Sequence, residues 1–417
     1  MSAVAEEEDW VMNEFAGASL GDARRTKRLL QIVRAMSAQP SASFPEACGS
    51  NGALKACYRF FDTDALDASD LLEGHFLATR RRLSTESLVL VIQDTSELNY
   101  SHHPHTEGLG PLSRSDQQGL FMHSSFSMTA ERVPLGLIAQ KVWARPPEIG
   151  KARTRKTSKI EDKESYKWLQ GLEALNEVKA HCPLTAFVMI CDREADIFDL
   201  FAGARTAQVD LLVRATHDRK VDHEQGYLYK HVLTAHVVER VAIALPRRKE
   251  HKAREAVLSL RFGPVVVCPP KHRKKDALCP VALWFVHVIE ESPPEGQPPV
   301  EWLLITSLPP ENTAKARQIL DFYTARWGIE IWHKILKSGC QIEARQLATE
   351  ERIERLIPVF SVIAWRVLMA VMLSRHLPDA SCSCLLDKDA WQTLYCRIHN
   401  NPTPPDEPPS LDQAVVW

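Results

Sequence analysis

The sequence has no CxxC pair and no regular cysteine framework. Its ten cysteines, at 48, 57, 182, 191, 268, 279, 340, 382, 384 and 396, are scattered along the chain. That excludes a small disulfide-stapled scaffold and fits a reduced, cytoplasmic setting. A basic-plus-apolar signal peptide is also missing, for residues 1–14 carry five acids and no Lys or Arg. Net charge is nearly absent, at −2, so the chain as a whole does not announce a polyanion binder. No uninterrupted membrane span is present either. The longest apolar run, LIPVFSVIAWRVLMAVML at 356–373, is broken by Pro358 and Arg366, reads as a buried helix and implies no membrane partner.

What is present is ordinary globular composition, 417 residues with 45% hydrophobic and 25% charged, enough for two or three domains with substantial cores. The charge is uneven. Residues 141–163 hold eight Lys/Arg against three acids, and residues 241–275 hold ten against two. Such runs are either a polyanion footprint or solvated loops. Cys382-x-Cys384 with Cys396-x-x-His399 has the ligand types of tetrahedral zinc, but at a spacing that is a weak zinc signal.

The most informative stretch is DFYTARWGIEIWHKILK, Asp321 to Lys337. Read as one helix, it sets Tyr323, Arg326, Glu330, Lys334 and Lys337 on a single stripe, with Ile329, Trp332, Ile335 and Leu336 off it and free to face a core. One acid among a phenol and three cations suits a site holding both a metal ion and a phosphate. The same pattern also describes a plain solvated helix face.

Along the chain, residues 9–35 read as helical, with Arg24, Arg25, Lys27 and Arg28 near a helix start and Leu29, Leu30, Ile32 and Val33 on its apolar face. A second helix spans Gly52 to Phe61, carrying Lys55 and Arg59 at i and i+4. Short basic helices of this kind suit DNA grooves or phosphates, or a small helical cap. From 88 the pattern changes to strands at LVLVIQ (88–93), GLFMHSSFSMTA (119–130) and LGLIAQKVWA (135–144). A helix at about 164–180, a buried strand FVMIC (187–191), a short helix and the strand DLLVRA (210–215) follow. Three strands, helix, strand, helix, strand is an α/β order of ribonuclease-H-like type. Residues 216–312 read as a β-rich insertion with basic hairpin tips, and WLLITS (302–307) as a strand opened by Trp302.

Asp94 and Asp192 each follow an apolar strand. If those strands are neighbours, the two acids lie side by side at the sheet's edge and need cations to neutralise them. The plainer alternatives are a turn with Ser96 for Asp94 and a helix cap for Asp192.

Taken together, these stretches resemble the bacterial cut-and-paste DDE transposases of the transposon-five type. Their signature of Tyr, two residues, Arg, three residues, Glu, six residues, Lys is matched by Tyr323, Arg326, Glu330 and Lys337. LGDARRTKRL, IQDTSELNY, CDREAD and EWLLITSLP agree as well, from about Asp9 to about Arg375.

The resemblance implies a ribonuclease-H-like catalytic domain at 71–375, interrupted by the 216–312 insertion. It also implies an N-terminal helical DNA-binding domain at 1–70 that reads the transposon end, with Arg24, Arg25 and Arg28 among its candidate contacts. Asp94, Asp192 and Glu330 would be the metal-binding triad for Mg²⁺, with Mn²⁺ able to substitute. Arg214, Tyr323, Arg326, Lys334 and Lys337 would grip end phosphates, and Trp302 would stack near a flipped base. End nicking, hairpin formation and opening, and strand transfer would follow, on transposon-end and target DNA, in the bacterial cytoplasm at the nucleoid, by a homodimer in a synaptic complex if the family's pairing segment is supplied. The last segment, 376–417, stops where the family's pairing helices are expected to begin. That raises a second expectation, a catalytically silent DNA-binding inhibitor or remnant. The long gap between Asp192 and Glu330 speaks against a third, a minimal ribonuclease-H-like nuclease.

Overall fold

The computed structural model describes residues 9–146, 159–245 and 253–417. Most of the acidic start, much of the 141–163 basic run and the basic turn at 246–252 lie outside the described residues.

The chain opens with helices α1 (Trp10–Phe15), α2 (Ala23–Ala38), α3 (Phe44–Cys48), α4 (Asn51–Phe61) and α5 (Ala68–Leu83). Strands β1 (Leu88–Asn99), β2 (Gly110–Pro111), β3 (Gln118–Thr129) and β4 (Pro134–Trp143) come next. Then follow α6 (Tyr166–His181), β5 (Ala186–Cys191), α7 (Phe198–Ala207), β6 (Asp210–Arg214), α8 (Leu228–Thr234), β7 (Glu239–Leu245), β8 (Arg254–Val267), β9 (Val281–Glu290) and β10 (Glu301–Thr306). The chain finishes with α9 (Thr313–Thr324), α10 (Trp327–Lys334), α11 (Glu350–His376), α12 (Lys388–His399) and α13 (Leu411–Val416). This is the expected mixed α/β order behind an N-terminal helical region.

Two compact units divide the chain. The first comprises Met1–Ser87, Thr95–Lys156 and Gly328–Trp417; the second comprises Leu88–Asp94 and Thr157–Trp327.

In the first unit, side-chain caps set the helix starts. Asp22 accepts from the Arg24 amide at 2.8 Å to open α2, and Ser50 accepts from the Ala53 amide at 3.2 Å to open α4. Leu29, Leu30, Ile32 and Val33 are buried as the pattern predicts, while Lys55 and Arg59 stay exposed. The β3–β4 hairpin pairs Phe121 with Trp143 through Met128 with Pro134. α11 is long and apolar enough to cross a membrane by length and composition, yet 61% of its most apolar window is buried inside the protein. It is the core helix that the sequence suggests.

A buried polar knot ties α1 to α5 and β4. His75 is wholly buried, with Nδ1 2.5 Å from Glu14 Oε2, while its Nε2 accepts from the Leu137 amide at 3.0 Å. Only a neutral ring protonated on Nδ1 satisfies both bonds. Arg82 donates to Glu14 Oε1 at 2.6 Å and lies 4.4 Å from the Trp365 ring centre.

The second unit is a seven-stranded mixed sheet in the order β1-β5-β6-β10-β9-β8-β7. β1, β5 and β6 run parallel, and β10 turns the sheet antiparallel by pairing Leu304 with Arg214. The strands of the expected insertion therefore continue this sheet. Their basic tip at 269–275 is instead a 3₁₀ turn, Lys271–Asp276, with Arg273 tied to Asp199 and Asp276.

Two local expectations are corrected. β1 does not stop at residue 93 but runs to Asn99, because Ser96 and Leu98 turn inward and Gly119 of β3 lies against the Leu98 carbonyl. The single helix read over 321–337 is three pieces: the end of α9, α10 and a π-helical turn at Ile335–Gly339. At the first break the Thr324 hydroxyl donates to the Asp321 carbonyl at 2.7 Å, and the Arg326 amide bonds to the Tyr323 carbonyl in a tighter turn. A threonine bonding back to its own helix competes with the backbone ladder and bends it. The five polar residues therefore do not share one straight stripe.

Candidate active site

The expected site residues fall in both units. Asp94, Asp192, Arg214, Trp302, Tyr323 and Arg326 belong to the second, and Glu330, Lys334, Lys337, Arg24, Arg25 and Arg28 to the first.

In the second unit the two aspartates stand at neighbouring positions. The parallel register of β1 and β5 ends with Gln93 beside Cys191; Asp94 is the next residue of β1, and Asp192 is the first residue after β5. Their nearness is felt by the buried Cys191 thiol, which burial pushes up and which the charges of Asp192 and Asp94 push further. Asp94 sits within the continuing strand, so the turn with Ser96 does not form. Asp192 does cap the next turn, its Oδ1 accepting from the Glu194 amide at 2.8 Å. Its carboxyl is nonetheless raised above the ordinary range, first by burial; the Glu194 amide and the charges of Arg326 and Lys167 act the other way. A cap and a site acid are thus the same residue here.

A basic and aromatic cluster stands by Asp192. Arg214 is the last residue of β6, and its Nη2 donates to the Glu301 carbonyl at 2.8 Å. Burial lowers its pKa, while the neighbouring Tyr323, through charge and a side-chain hydrogen bond, raises it. Burial raises the Tyr323 hydroxyl, and the charges of Arg326 and Arg214 pull it down. The Trp302 ring meets the Tyr323 ring edge-on at 5.4 Å. Trp302 is half-buried at its strand start, packed on the signature tyrosine and not sealed in a core. Asp192, Arg214, Trp302, Tyr323 and Arg326 are therefore one neighbourhood.

Lys167, at the start of α6, was not foreseen. Its Nζ lies 3.1 Å from Glu194 Oε2 and its charge reaches Asp192. No short spacing in the sequence points to it, since it meets the CDREAD segment only through the packing of α6.

In the first unit, Glu330 is half-exposed on α10, held by the buried Ile329 and Trp332. Trp332 donates its ring N–H to the Ser361 carbonyl at 3.1 Å and packs on Phe126. Gly328 lets α10 approach closely, for a Cβ there would come within 2.3 Å of Met128 Cε. Between the signature residues lies buried His333, whose pKa falls to about 3 through burial and the Lys337 charge. Lys334 is exposed. Lys337, in the π-helical turn, donates to the Glu97 carbonyl at 2.5 Å and lies 3.8 Å from Glu343. In α2, Arg24 is 93% exposed beside Asp22, Arg25 donates to the Leu20 carbonyl at 3.0 Å, and Arg28 is half-exposed.

Among the described residues no three His, Cys, Asp or Glu side chains are gathered as a ready metal site. For the C-terminal cysteines this removes the zinc reading. Cys382 packs in a small core with Trp391 and Ala414, while His399 stacks between Tyr395 and Trp417. Asp94 and Asp192 contribute two carboxylates side by side, and hard oxygen donors of that kind suit a divalent cation such as Mg²⁺.

Two family models match. Residues 7–66 match a transposase DNA-binding domain, and residues 169–359 match a transposase DDE domain. Arg24, Arg25 and Arg28 fall in the first stretch; Asp192, Arg214, Trp302, Tyr323, Arg326, Glu330, Lys334 and Lys337 fall in the second; Asp94 lies between them. A DNA-binding helical region followed by a DDE domain, together spanning more than half of the chain, places it among the DDE transposases.

Proposed function

We propose that the chain is a cut-and-paste transposase of the transposon-five type, acting on transposon-end and target DNA by metal-dependent phosphoryl transfer. The observation that carries this is the second unit's edge, where paired aspartates sit beside an arginine–tyrosine–tryptophan cluster. Asp94, Asp192 and Glu330 are the acids that hold the metal. The chemistry that a divalent cation held by these carboxylates would supply is activation of water or a 3′-hydroxyl and stabilisation of the leaving oxygen.

The chain's own residues position the DNA. Arg214 and Arg326 present guanidinium groups to end phosphates, a bidentate match that lysine lacks. Lys334 and Lys337 add point charges. Tyr323 orients Arg214, and Trp302 offers a ring face on which an unpaired base stacks while a tight DNA hairpin forms. Nicking, hairpin formation and opening, and strand transfer are all in-line displacements at phosphorus, so one set of positioned groups serves each of them. Residues 1–70 read the end sequence, with Arg24, Arg25 and Arg28 as phosphate contacts, and residues 71–375 carry the chemistry. Two copies would pair two ends in a synaptic complex in the bacterial cytoplasm when the family's pairing segment is supplied.

The test is a DNA fragment carrying the terminal repeats that flank this gene, incubated with the full chain and Mg²⁺ or Mn²⁺. Nicked, hairpin and excised products on a denaturing gel are expected. Glu330→Gln should abolish them while leaving end binding in place, because it removes a metal ligand and not a phosphate grip. Cleavage retained by that variant overturns the triad.

A further inference from the structure

CDREAD contains two aspartates, and the structure gives them opposite environments. Asp192 is half-exposed at the sheet's edge. Asp196 is only 1% exposed, and its carboxylate is saturated. Oδ2 accepts from the backbone amides of Thr216 and His217, each at 2.8 Å. Oδ1 accepts from Arg219 Nε at 2.6 Å, and a second nitrogen of Arg219 donates to the Asp196 carbonyl. The guanidinium of Arg219 in turn lies 5.3 Å from the Phe201 ring centre, under α7.

Every one of these bonds joins two segments that each begin beside a site residue. The first is the turn Arg193–Ala195, which starts at Asp192. The second is the chain after β6, which starts at Arg214. Nothing else in Arg193–Asp196 bonds to 215–219 among the described residues. We infer that Asp196, through Arg219 and the 216–217 amides, is a positioning residue that fixes the Asp192 turn against the Arg214 strand end. The clamp rests on the transposase reading for its consequence, since it relates a metal-holding acid to a phosphate grip. Its geometry stands independently. A carboxylate taking three donors in a dry site, with a fourth donor on its own backbone carbonyl, is rigid, because each lost bond leaves a buried polar group unpaired. A shift of about 1 Å between groups that must act on one phosphate lowers rate about 10- to 100-fold.

The experiment uses the full chain and the variants Asp196→Asn and Arg219→Lys. Hydrogen exchange read by mass spectrometry reports the clamp directly. In Asp196→Asn, peptides covering 193–197 and 215–219 should lose protection together while those of β5 and β6 keep theirs. Loss in only one segment, or in neither, overturns the clamp. End cleavage, scaled to the folded fraction from the far-ultraviolet melt, reports its consequence. Asp196→Asn should lose about 10- to 100-fold with end binding unchanged, and Arg219→Lys, which keeps one charged donor, should lose less. Cleavage that falls only in step with the folded fraction overturns the positioning role and leaves a structural ion pair. If the unsubstituted chain cuts no end DNA, the transposase reading fails, and the exchange measurement still decides the clamp.

Discussion

Glu14→Gln is the perturbation whose size the structure fixes best. Glu14 is 3% exposed and accepts three bonds at once, one from His75 and two from Arg82. Burial alone pushes its carboxyl up, but the hydrogen bonds from His75 and Arg82 and the Arg82 charge outweigh that and bring it from 4.5 down to about 2. That difference is worth about 3 kcal/mol of folding free energy above pH 5. The sign follows from proton uptake. The unfolded chain protonates Glu14 on passing below 4.5, the folded chain not until about 2, so the stabilisation is full above 4.5 and fades as pH falls through 2. His75 acts in the same direction at higher pH. Burial lowers its pKa below 6.5, so the fold keeps it neutral while the unfolded chain charges it, and stability begins to fall below about pH 6.5. Glutamine keeps the shape and removes the charge. The variant should be about 3 kcal/mol less stable at pH 7, with the gap narrowing to about 1 kcal/mol at pH 3 as wild-type Glu14 approaches its own titration. Urea unfolding at both pH values measures this, with exchange of α1 and α5 amides locating the loss. A variant within 1 kcal/mol of wild type at pH 7, or a gap that does not change with pH, would refute the assignment of a charged Glu14 between His75 and Arg82.

Gly74→Ala should disturb the same knot by contact alone. Its Cβ would stand 2.6 Å from the Glu14 carbonyl oxygen and 3.1 Å from Phe15 Cα, both backbone atoms, so α1 must move at a cost of about 1–3 kcal/mol, read as a lowered melting temperature. Tyr323→Phe keeps the ring against Trp302 and removes the hydroxyl that bonds Arg214. Stability should change by about 1 kcal/mol, while end-DNA cleavage drops about tenfold through loss of Arg214 orientation; equal cleavage would separate Tyr323 from the phosphate grip.

Alternation of apolar runs with polar breaks was enough to read the succession of the longer strands and helices along the chain from β1 to β6, the Asn51–Phe61 helix and the buried character of α11. These elements are decided by local periodicity, which survives into the structure wherever one face meets a core. Asp94-Thr95-Ser96 misled because three small polar residues look like a turn. Ser96 and Leu98 carry the inward alternation that keeps the strand going, and that alternation is weak where the inward residues are polar. β3 also buries polar residues, His123, Ser124, Ser125 and Ser127, yet its flanking apolar residues keep it legible as a strand. The break at Ala325 carries neither proline nor a helix-ending glycine, and depends on one threonine hydroxyl. Lys167 and the pairing of Asp196 with Arg219 were out of reach altogether, since each joins residues more than twenty positions apart and only packing brings them together. Asp94 and Asp192 were legible as acids after apolar runs, and the parallel pairing of β1 with β5 sets them at the neighbouring positions expected if those strands were neighbours.

The two lysines of the signature stretch should behave differently, although sequence treats them alike. Lys334 ends α10 and is exposed, so its ammonium rests in water. Lys337 lies one turn on, where the chain winds as a π-helix and the Cys340 amide bonds back to the Ile335 carbonyl at 2.8 Å. That wider turn carries Lys337 to the Glu97 carbonyl and toward Glu343, which itself accepts from the Asn99 amide at 2.7 Å. The ammonium thus closes a link between β1 and the segment after the signature. Removing a charged donor from a half-buried carbonyl costs about 1–2 kcal/mol, whereas an exposed lysine contributes within about 0.5 kcal/mol. Lys337→Met should therefore lower the unfolding free energy by about 1–2 kcal/mol and Lys334→Met should not, with both weakening end-DNA binding and reducing its salt dependence by about one counterion each. Parallel urea melts and binding isotherms at two salt concentrations separate the effects. Equal stability losses would mean that the π-helical turn does not hold Lys337 against β1. A stability loss at Lys337 with no change in salt dependence would make it a brace of the fold and leave the phosphate grip to Lys334.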